Sequence, residues 1–466
     1  MVAASVLSDR PLAGGEGDIL VFLPGAAEIR RVEGALRDSA AGEDVLLAPL
    51  YGDMTQDDQD RAICPAPPGR RKVVLATAIA ETSLTIEGVR AVVDSGLMRR
   101  ARFDPDSGMG RLVTVSVTRA AADQRRGRAG RLGPGVCYRL WSEAEERGLI
   151  PFTPPEILEA DLAPLALDLA AWGAADPASL SWLDPPPEAA WAEARALLFR
   201  LGALEEDGRL SDHGRAMAGL ALHPRLAHMI VRARAMGSGA KMTALACDLA
   251  ALLGERDVLR AARGARNADA RLRLEALRGK EHPGPGLEVD RGALRRARQA
   301  ADEWRRRLRI GTDEMGDSDD AGILIALAYP DRIARRRMPQ NQEIGRTAGG
   351  RAYRMANGRG AVFADPDALA AETWLAVAEI GGPTNAAMRE GRVFLAAPLA
   401  LDDIEACFAD RIRTEEEVYW DARAETVVAR VRRRLGELTL EEKPLGQGSA
   451  DAWNALGVAR ALERKR

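Results

Sequence analysis

Two short segments of this 466-residue sequence carry residue types that could hold phosphate groups. The first is ATAIAETSLTIEGV, residues 76–89, with four hydroxyl side chains within nine residues: Thr77, Thr82, Ser83 and Thr85. Hydroxyl groups donate to phosphate oxygens without reading bases, so this pattern suits contact with a nucleic-acid backbone. The alternative is a loop that caps its own helix, and for this segment taken alone that alternative is favoured.

The second segment is QRRGRAGR, residues 124–131, preceded by Arg119. Five arginines and one aspartate lie between Arg119 and Arg131, which gives a local charge of +4. Arg128 and Arg131 are three residues apart, and on a short helix they are expected to project from one face. Such a pair can clamp a γ-phosphate and stabilise the charge that develops during phosphoryl transfer.

The glycines in this second segment are expected to let its backbone pack closely against a neighbour. The alternative is a solvated basic helix. That alternative is disfavoured, because a solvated helix gains nothing from two glycines that weaken it. A third segment, residues 17–36, runs from a strand into a helix through Pro24-Gly25, and alone it is weak evidence.

The elements around these segments predict an α/β unit over the first 150 residues. Short apolar runs predict strands at 18–23, 45–50, 72–76 and 89–94. Ile29, Val32, Ala35 and Leu36 predict a helix after the first strand, and Thr55 is a candidate cap for a short helix ending at Ile63. Since ligands gather at the carboxyl ends of parallel strands, the hydroxyl-rich segment after the third strand is well placed. A β-hairpin is predicted between Leu97 and Val117, with its turn at residues 104–108.

The sequence pattern changes at residues 151–155, from alternating strands and helices to a mostly helical pattern that runs to about residue 311. This change predicts a domain boundary. A helix at 189–201, a short hairpin at 202–210 and a helix from Ser211 together predict a winged helix. Composition predicts a loop at 281–286. Strand-like pieces at 352–355, 360–363, 373–379 and 393–396 predict a small barrel. A charged helix is predicted from Glu425 to Arg434, and the last twenty residues are polar.

Composition limits the class of protein. The balance of 66 basic and 69 acidic residues gives −3, and 46% of residues are hydrophobic, so two to four globular units are expected. Only five basic residues are lysine. Arginine suits phosphate recognition, although a GC-rich genome explains the overall skew equally well and is the favoured cause.

Other features argue against metal, disulfide and membrane chemistry. The cysteines Cys64, Cys137, Cys247 and Cys407 form no C-x-x-C pair, which argues against zinc and favours a reducing cytoplasm. Asp168 interrupts the longest apolar stretch, so no membrane span is expected. His223 and His228 are five residues apart and are interpreted as structural, and Trp304 as a packing residue.

Taken in order, the three segments resemble motifs IV, V and VI of the DEAH/RHA branch of superfamily 2 helicases. LYGDMTQDDQDRAICPAPPGRRKVVLAT leading into motif V, and GRAGRLGPGVCYRLW closing motif VI, look most like bacterial HrpB-type ATP-dependent RNA helicases. The resemblance continues through LHPRLAHMI, LAYPDRIARRR, MANGRGAVF and WDARAETVVARVRRRLG, so it covers nearly the whole chain.

The resemblance implies roles for individual residues. Thr77, Thr82 and Arg119 would contact nucleic acid, and Thr85 and Glu87 would approach the nucleotide. Gln124 would position the attacking water, with Arg128 and Arg131 as arginine fingers. The hairpin would wedge against the threaded strand. Relatives usually carry aspartate at position 87 and asparagine at position 78, so the nucleotide contact and the loop geometry differ there. Many eukaryotic members stack the base on an aromatic where this chain has Cys64, so weak discrimination among nucleoside triphosphates would follow.

The resemblance also implies five regions. They are a second RecA-like domain (1–150, parallel sheet with helices on both faces), a winged helix (151–222), an all-α ratchet-type domain (223–335), a small OB-like β-barrel (336–420), and a charged helix with a polar tail (421–466). Residues 291–310, with eight arginines against Asp302 and Glu303, would line the nucleic-acid channel in the ratchet domain. For any individual arginine of that run, a plain solvated helix is an equal alternative.

Two family motifs are absent from this sequence. It holds no G-x-x-x-x-G-K-[ST], and Asp302-Glu303 is followed by Trp304-Arg305 rather than completing D-E-x-H. Both belong to the first RecA-like domain, which cradles the phosphates and holds Mg²⁺. The sequence is therefore expected to be the C-terminal portion of a larger helicase, as a fragment, a truncated reading frame or a mis-called gene start.

The expected cofactor is ATP with Mg²⁺ in the two-lobed enzyme, with the Mg²⁺ ligands outside this chain. The expected partners are single-stranded RNA or DNA and a first RecA-like domain, in the cytoplasm and without a membrane. The isolated chain is expected not to hydrolyse ATP. The alternative from another class is a non-catalytic nucleic-acid-binding module derived from a helicase, and the oligomeric state is open.

Overall fold

A computed structural model describes most of the chain: residues 17–38, 45–52, 54, 56–82, 85–104, 109–131, 133–174, 176–261, 267–280, 284–311, 313–337, 352–381, 390–421 and 426–445. The chain divides into two units. The first unit comprises Met1–Asp161 with Trp182–Pro187, and the second comprises Leu162–Ser181 with Glu188–Arg466. Thr55, Ser83, residues 105–108 of the hairpin turn, residues 281–283 and the tail from residue 446 lie outside the described residues.

A five-stranded parallel sheet is the centre of the first unit. Its strands are β1 (Asp18–Phe22), β2 (Val45–Leu50), β3 (Arg71–Ala76), β4 (Val89–Asp94) and β7 (Val136–Arg139), in the spatial order β2-β3-β1-β4-β7. All four pairings are parallel. The apolar runs are continuous because both faces of these strands are buried. The four strands predicted from those runs are confirmed.

Helices cover both faces of this sheet. Ile29 and Leu36 of α1 (Ala26–Asp38) pack on the odd-numbered side chains of β1 and β3. On the opposite face, the even-numbered side chains pack with α2 (Gln56–Ile63), α3 (Ile79–Thr82) and α4 (Arg119–Ala129). A further helix, α5 (Glu143–Gly148), follows β7. The predicted RecA-like arrangement of a parallel sheet with helices on both faces is therefore confirmed.

The predicted hairpin is formed by β5 (Leu97–Asp104) and β6 (Met109–Ser116), paired in register from Leu97↔Ser116 to Asp104↔Met109. A segment that follows in sequence is attached to β5. The backbone N–H of Phe103 donates to the Glu159 carbonyl at 2.7 Å, and the Arg100 guanidinium pairs with the Glu159 carboxylate at 2.7 Å. These contacts attach Glu159 to the hairpin within the first unit, which continues to Asp161. The predicted domain boundary near residue 150 stays a prediction.

The second unit begins with helices. They are α6 (Ala163–Trp172), α7 (Glu188–Arg200), α8 (Asp212–Ala218), α9 (Pro224–Arg234), α10 (Gly239–Gly254), α11 (Ala270–Leu277), α12 (Arg291–Arg307) and α13 (Ala321–Ala328), with α14 (Leu401–Cys407) later in the chain. Between α7 and α8 a bridge joins Leu204 to Leu210, as the predicted short hairpin requires. The winged-helix and ratchet assignments stay predictions.

Two strands interrupt the predicted helical region. β8 (Leu259–Ala261) pairs antiparallel with β9 (Leu287–Val289), two residues before α12 begins. The sequence analysis did not predict them, because three-residue strands are too short to show an alternating pattern. They connect segments nearly thirty residues apart and set the start of α12, whose N-cap is Asp290.

A closed five-stranded barrel follows. Its strands are β10 (Ile333–Arg336), β11 (Ala352–Met355), β12 (Gly360–Val362), β13 (Trp374–Gly381) and β14 (Glu390–Pro398), in the order β10-β11-β12-β14-β13. β12 and β14 pair in parallel, and the other pairings are antiparallel. The predicted small barrel is confirmed, although β10 was missed and begins before the predicted start at 336. Its OB-like character stays a prediction.

The charged helix predicted from Glu425 to Arg434 is wrong. From Thr426 onward this segment lies in β16 (Thr426–Leu435), the central strand of an antiparallel sheet with β15 (Ile412–Asp421) and β17 (Leu438–Pro444), and Glu425 lies outside the described residues. The arginines of β16 pair with carboxylates on both neighbours, for example Arg430 with Glu417 at 2.7 Å and with Glu442 at 2.9 Å. A helix would have crowded these like charges, whereas the sheet neutralises each across the strands.

A buried ion pair ties α9 to the turn before the barrel. Arg225 contacts both carboxylate oxygens of Asp331, at 2.5 and 3.1 Å. Burial alone would raise the pKa of Asp331, but Arg225 and Arg332 outweigh it and lower the pKa to about 2. Because the folded-state pKa lies below the unfolded value of about 3.9, the pair stabilises the fold above pH ~4 and loses that effect as the pH falls toward 2.

Asp331→Asn is expected to lower the free energy of unfolding at pH 7 by about 3 kcal/mol, because it leaves the Arg225 guanidinium buried without its anion. Urea unfolding of the variant and the parent at pH 7 measures the difference. The difference should narrow below pH ~4, where the parent loses the same charge. Asp402→Asn, at an exposed carboxylate of α14, is the control and should change little. Equal stability of all three proteins at pH 7 would contradict this account.

Candidate functional site

The hydroxyl-rich segment begins where three neighbouring strands end together. Phe22 of β1 pairs with Ala76 of β3 and with Asp94 of β4, so the carboxyl ends of these strands form one edge. The backbone N–H of Thr77 donates to the carbonyl of Leu50, the last residue of β2, at 3.1 Å. Thr77 is therefore held, half-buried, at the edge where open parallel sheets bind ligands.

The rest of the segment is more accessible. Thr82 ends the short helix α3, and its side chain is exposed, as are those of Thr85 and Glu87. The chain then turns at Gly88, which has a φ of +85°, and enters β4. The exposed hydroxyls are thus placed at the ligand-binding edge, and their contacts with nucleic acid or nucleotide stay predictions.

The arginine-rich helix α4 is fixed at its start by Thr118, whose side chain accepts a hydrogen bond from the Ala121 N–H at 3.1 Å. Arg119 follows at once, and its guanidinium donates to the carbonyl of Arg147 at 3.3 Å. Arg119 and Arg128 lie at opposite ends of a helix that rises roughly 15 Å. Arg119 is therefore not brought together with the Arg128 end of the helix.

The residue that joins α4 to the strand edge is Arg125, which the sequence analysis did not single out. Its side chain is 1% exposed. The guanidinium contacts the Asp94 carboxylate at 2.8 Å and the Glu81 carboxylate at 3.2 Å, donates to the Leu97 carbonyl at 3.3 Å, and lies 4.9 Å from the Phe22 ring centroid. In sequence it is one of five arginines in a run, and no local pattern distinguishes it.

Arg128 and Arg131 both reach the hydroxyl-rich segment. Arg128 is 7% exposed and donates through Nε to the Glu81 carbonyl at 2.8 Å, while its Nη2 donates to the same oxygen. Arg131 is exposed and donates to the Thr85 hydroxyl at 2.8 Å. Arg131 lies beyond the end of α4 at Ala129, so the expectation that both project from one helical face is wrong. They converge because of the turn after the helix.

Two positive charges held at this edge favour an anion. Burial lowers the pKa of Arg128, and the charge of Arg131 lowers it further, against the raising effect of Glu81. Among the described residues, Arg128 hydrogen-bonds to the carbonyl of Glu81 and not to its carboxylate, which pairs with Arg125. Gln124 is exposed one turn before Arg128 on the same face of α4. The arrangement can receive a phosphate group beside an amide side chain.

The expected reason for the glycine at 127 is wrong. A Cβ atom added there would meet nothing within 4 Å, so no described neighbour requires a glycine. Close approach occurs instead at Gly135, where an added Cβ would lie 2.2 Å from the Ala129 carbonyl oxygen and 2.7 Å from that of Arg90. The surface at Gly127 is open, which leaves room for another body to approach α4.

Gly127→Ala is expected to stabilise this chain by about 0.5–1 kcal/mol, since alanine is the better helix former and the position is open. Gly135→Ala is the matched control and should destabilise it, because the added methyl overlaps two carbonyl oxygens. Urea unfolding of both variants measures whether each one raises or lowers the free energy of unfolding. A loss of stability in Gly127→Ala would show that the glycine is needed within the chain itself.

Arg125→Met is expected to cost about 3–5 kcal/mol of unfolding free energy, because it leaves the Asp94 and Glu81 carboxylates without their shared cation. Arg126→Met serves as the control, since Arg126 is 61% exposed on the same helix. It should change stability by less than about 0.5 kcal/mol. Chemical denaturation compares them, and equal effects of the two variants would rule out a special role for Arg125.

The histidines have structural contacts, as predicted. His223 caps α9, its ring Nδ1 accepting from the Arg225 N–H at 3.2 Å, and His228 contacts His213 at 2.8 Å between ring nitrogens. In the part of the chain that the structure describes, no group of three or more His, Cys, Asp or Glu side chains is placed to hold a metal ion. No described helix has the length and apolar character to cross a bilayer.

Comparison with known families identifies two regions of the chain. Residues 5–133 match the model of the helicase conserved C-terminal domain. Residues 411–445, which include the three-stranded sheet of β15, β16 and β17, match the connector region of the ATP-dependent RNA helicase HrpB.

Individual relatives extend the similarity. The ATP-dependent RNA helicase HrpB of Escherichia coli is 38% identical over 449 residues, 96% of this chain and 50% of that protein. The pre-mRNA-splicing factor ATP-dependent RNA helicase prp22 of Schizosaccharomyces pombe is 40% identical over 240 residues, 50% of this chain and 20% of that protein. This chain thus spans about half the length of HrpB and less of prp22.

Solved structures agree with the sequence comparison. The crystal structure of the E. coli DEAH/RHA helicase HrpB superposes with a TM-score of 0.78 at 37% identity, covering 98% of this chain and 53% of that one. In sequence and in fold, the chain contains the helicase conserved C-terminal domain and matches the C-terminal portion of HrpB-type proteins of the DEAH/RHA branch.

Proposed function

We propose that this chain is the C-terminal part of an ATP-dependent RNA helicase, where it supplies one wall of a shared nucleotide site and part of the grip on a single strand. The observation that carries the proposal is the convergence of Arg128 and Arg131 on residues 81–85 at the carboxyl edge of the parallel sheet. The names of its relatives, HrpB and prp22, support ATP and RNA as ligands.

The residues at this edge fit the phosphate end of a nucleotide. The guanidinium groups of Arg128 and Arg131 and the hydroxyl of Thr85 are hydrogen-bond donors that lie together at this edge. When bound, ATP supplies a γ-phosphoryl group that is transferred to water. Arg128 and Arg131 would stabilise the charge that develops on that group, Gln124 would orient the attacking water, and Thr85 with Glu87 would contact the nucleotide.

The remaining parts of the nucleotide site are assigned to a partner. The described residues offer no cluster for a metal ion, so we assign the Mg²⁺ ligands and the phosphate loop to a first RecA-like domain. The open surface around Gly127 is where such a domain could approach α4. Opening and closing of the cleft between the two domains would then couple hydrolysis to movement along the strand.

The strand-gripping residues are proposed at three places. Thr77, Thr82 and Arg119 would contact the backbone in the RecA-like domain. The hairpin of β5 and β6 would wedge against the threaded strand, and exposed arginines of α12 would line the channel. Arg291, Arg295 and Arg307 make no ion pair among the described residues, so they are available to phosphates. Binding of single-stranded RNA or DNA would weaken with salt and depend little on sequence.

The domain assignments beyond the sheet and the barrel belong to the same proposal. The helix, bridge and helix around residues 188–218 would be a winged helix, and α9–α13 would form a ratchet-type domain. The closed barrel would be OB-like. The four free cysteines suit a reducing cytoplasm, where we place the protein.

Arg131→Ala is expected to lower RNA-stimulated ATPase about 10³-fold when the chain is combined with a separately expressed first RecA-like domain. The loss arises because the charge on the transferred group loses a guanidinium. The same assay on the parent should show turnover, and this chain alone should show none. Arg126→Ala is the matched control, since Arg126 lies on the same arginine-rich helix and its one ion pair among the described residues is with Asp123 at 3.3 Å.

Two results would contradict the proposal that this chain is part of an ATP-driven helicase, here called the motor proposal. One is restored turnover that Arg131→Ala leaves unchanged. The other is binding of RNA by the combined domains without any ATPase activity, which would favour a non-catalytic nucleic-acid-binding module.

A further inference from the structure

A second cluster of arginines lies in the second unit around a cavity of about 820 Å³. Its walls come from the end of α7, from α9, and from β15 and β16 of the three-stranded sheet in the connector region, here called the connector sheet. Five arginines and three carboxylates line it, together with His228 and Phe199. The arginines are Arg200, Arg232, Arg411, Arg413 and Arg434. The volume lies within the range of small-ligand sites, roughly 300–1,000 Å³.

Much of this positive charge is not neutralised. The side chains of Arg232 and Arg413 make no hydrogen bond or ion pair with any described residue, and the Arg411 guanidinium donates to the backbone carbonyl of Arg200. The carboxylates of Glu415 and Glu437 already contact Arg434, at 3.4 and 3.3 Å. The lining therefore keeps guanidinium donors that point to no acceptor.

The electrostatics of neighbouring groups report the same positive field. Burial lowers the pKa of His228 well below its ordinary value, and His213, Arg232 and Arg411 lower it further. Burial likewise lowers the pKa of Arg411, and Arg232 and Arg200 add to this, against the raising effect of Asp410. Such mutual repulsion has a cost that a bound anion would remove.

One wall offers a surface for an aromatic ring. Phe199, near the end of α7, is 39% exposed although it is a large apolar side chain. Bases stack on such rings whatever their identity, while arginines neutralise the phosphate. A phosphate beside a flat ring is the chemistry of a nucleotide.

We propose that this cavity binds a nucleotide unit, with its phosphate on Arg232, Arg411 and Arg413 and its base against Phe199. The unit is either a free nucleotide or one link of a strand. The site goes beyond the proposed motor, because it uses none of the residues assigned to the nucleotide cleft or the strand-gripping loops.

Photocrosslinking of this chain tests the proposal. The probe is a 12-nucleotide RNA carrying 4-thiouridine, and crosslinked peptides are mapped by mass spectrometry. Crosslinks are expected in residues 196–200 and 408–413. Arg232→Gln combined with Arg413→Gln should reduce them at least about tenfold, because two charge-assisted contacts are lost. Neither side chain has a hydrogen-bond or ion-pair partner among the described residues, so the double variant should unfold at no lower temperature than the parent.

Arg234→Gln is the matched control, since Arg234 is exposed on the same last turn of α9 and does not line the cavity. It should leave the crosslinks intact. Competition distinguishes a free nucleotide from a strand as the natural ligand. Loss of the crosslinks with added AMP indicates a free nucleotide, and loss with unlabelled RNA but not with AMP indicates a strand.

The proposal is overturned if neither peptide is crosslinked. It is also overturned if the double variant is crosslinked as strongly as the Arg234→Gln control. This readout needs no ATPase and no first RecA-like domain. A failed motor proposal and a failed cavity proposal are therefore distinguishable.

Discussion

The buried guanidinium of Arg125 fixes the geometry on which the candidate site depends. It joins α4 to the Asp94 carboxylate at the end of β4 and to Glu81 in the segment after β3. These three places are separated in the chain and meet only when the sheet has formed. Because Arg125 occupies the Glu81 carboxylate, Arg128 is left with the backbone carbonyl of that residue. One internal ion network thus fixes where Arg128 lies, beside the exposed Arg131.

Arginine is abundant in this protein. The groups that each arginine contacts indicate its function better than the number of arginines does. In the sheet of β15, β16 and β17, Arg430 and Arg432 form ion pairs with Glu417 and Glu442 on the flanking strands. These carboxylates neutralise the positive charge within the fold. At the ends of α4 and α9, by contrast, guanidinium groups lie near one another with few carboxylates available. Like charges held close together in this way would favour a bound anion at both places. They belong to different units, which is why we assign them separate ligands.

The sequence predicted what local patterns can carry. Apolar runs long enough to be buried on both faces predicted four strands of the parallel sheet, and turn residues predicted the hairpin. The family resemblance implied roles at one nucleotide site for residues of the hydroxyl-rich and arginine-rich segments, and these segments are in contact in the structure. The helix assigned to residues 425–434 failed because the partners that neutralise its arginines lie on strands that come before and after it. The role of Arg125 was missed for the same reason, since its two carboxylates are 31 and 44 residues away.

The central claim is that Arg128 and Arg131 face a phosphate shared with another domain. The most direct measurement is side-chain NMR of ¹⁵N-arginine-labelled chain mixed with the first RecA-like domain and a non-hydrolysable ATP analogue. The account predicts that the Nε–H signals of Arg128 and Arg131 shift with the nucleotide, while that of Arg125 stays in place. Unchanged Arg128 and Arg131 signals in a complex that binds the analogue would contradict it.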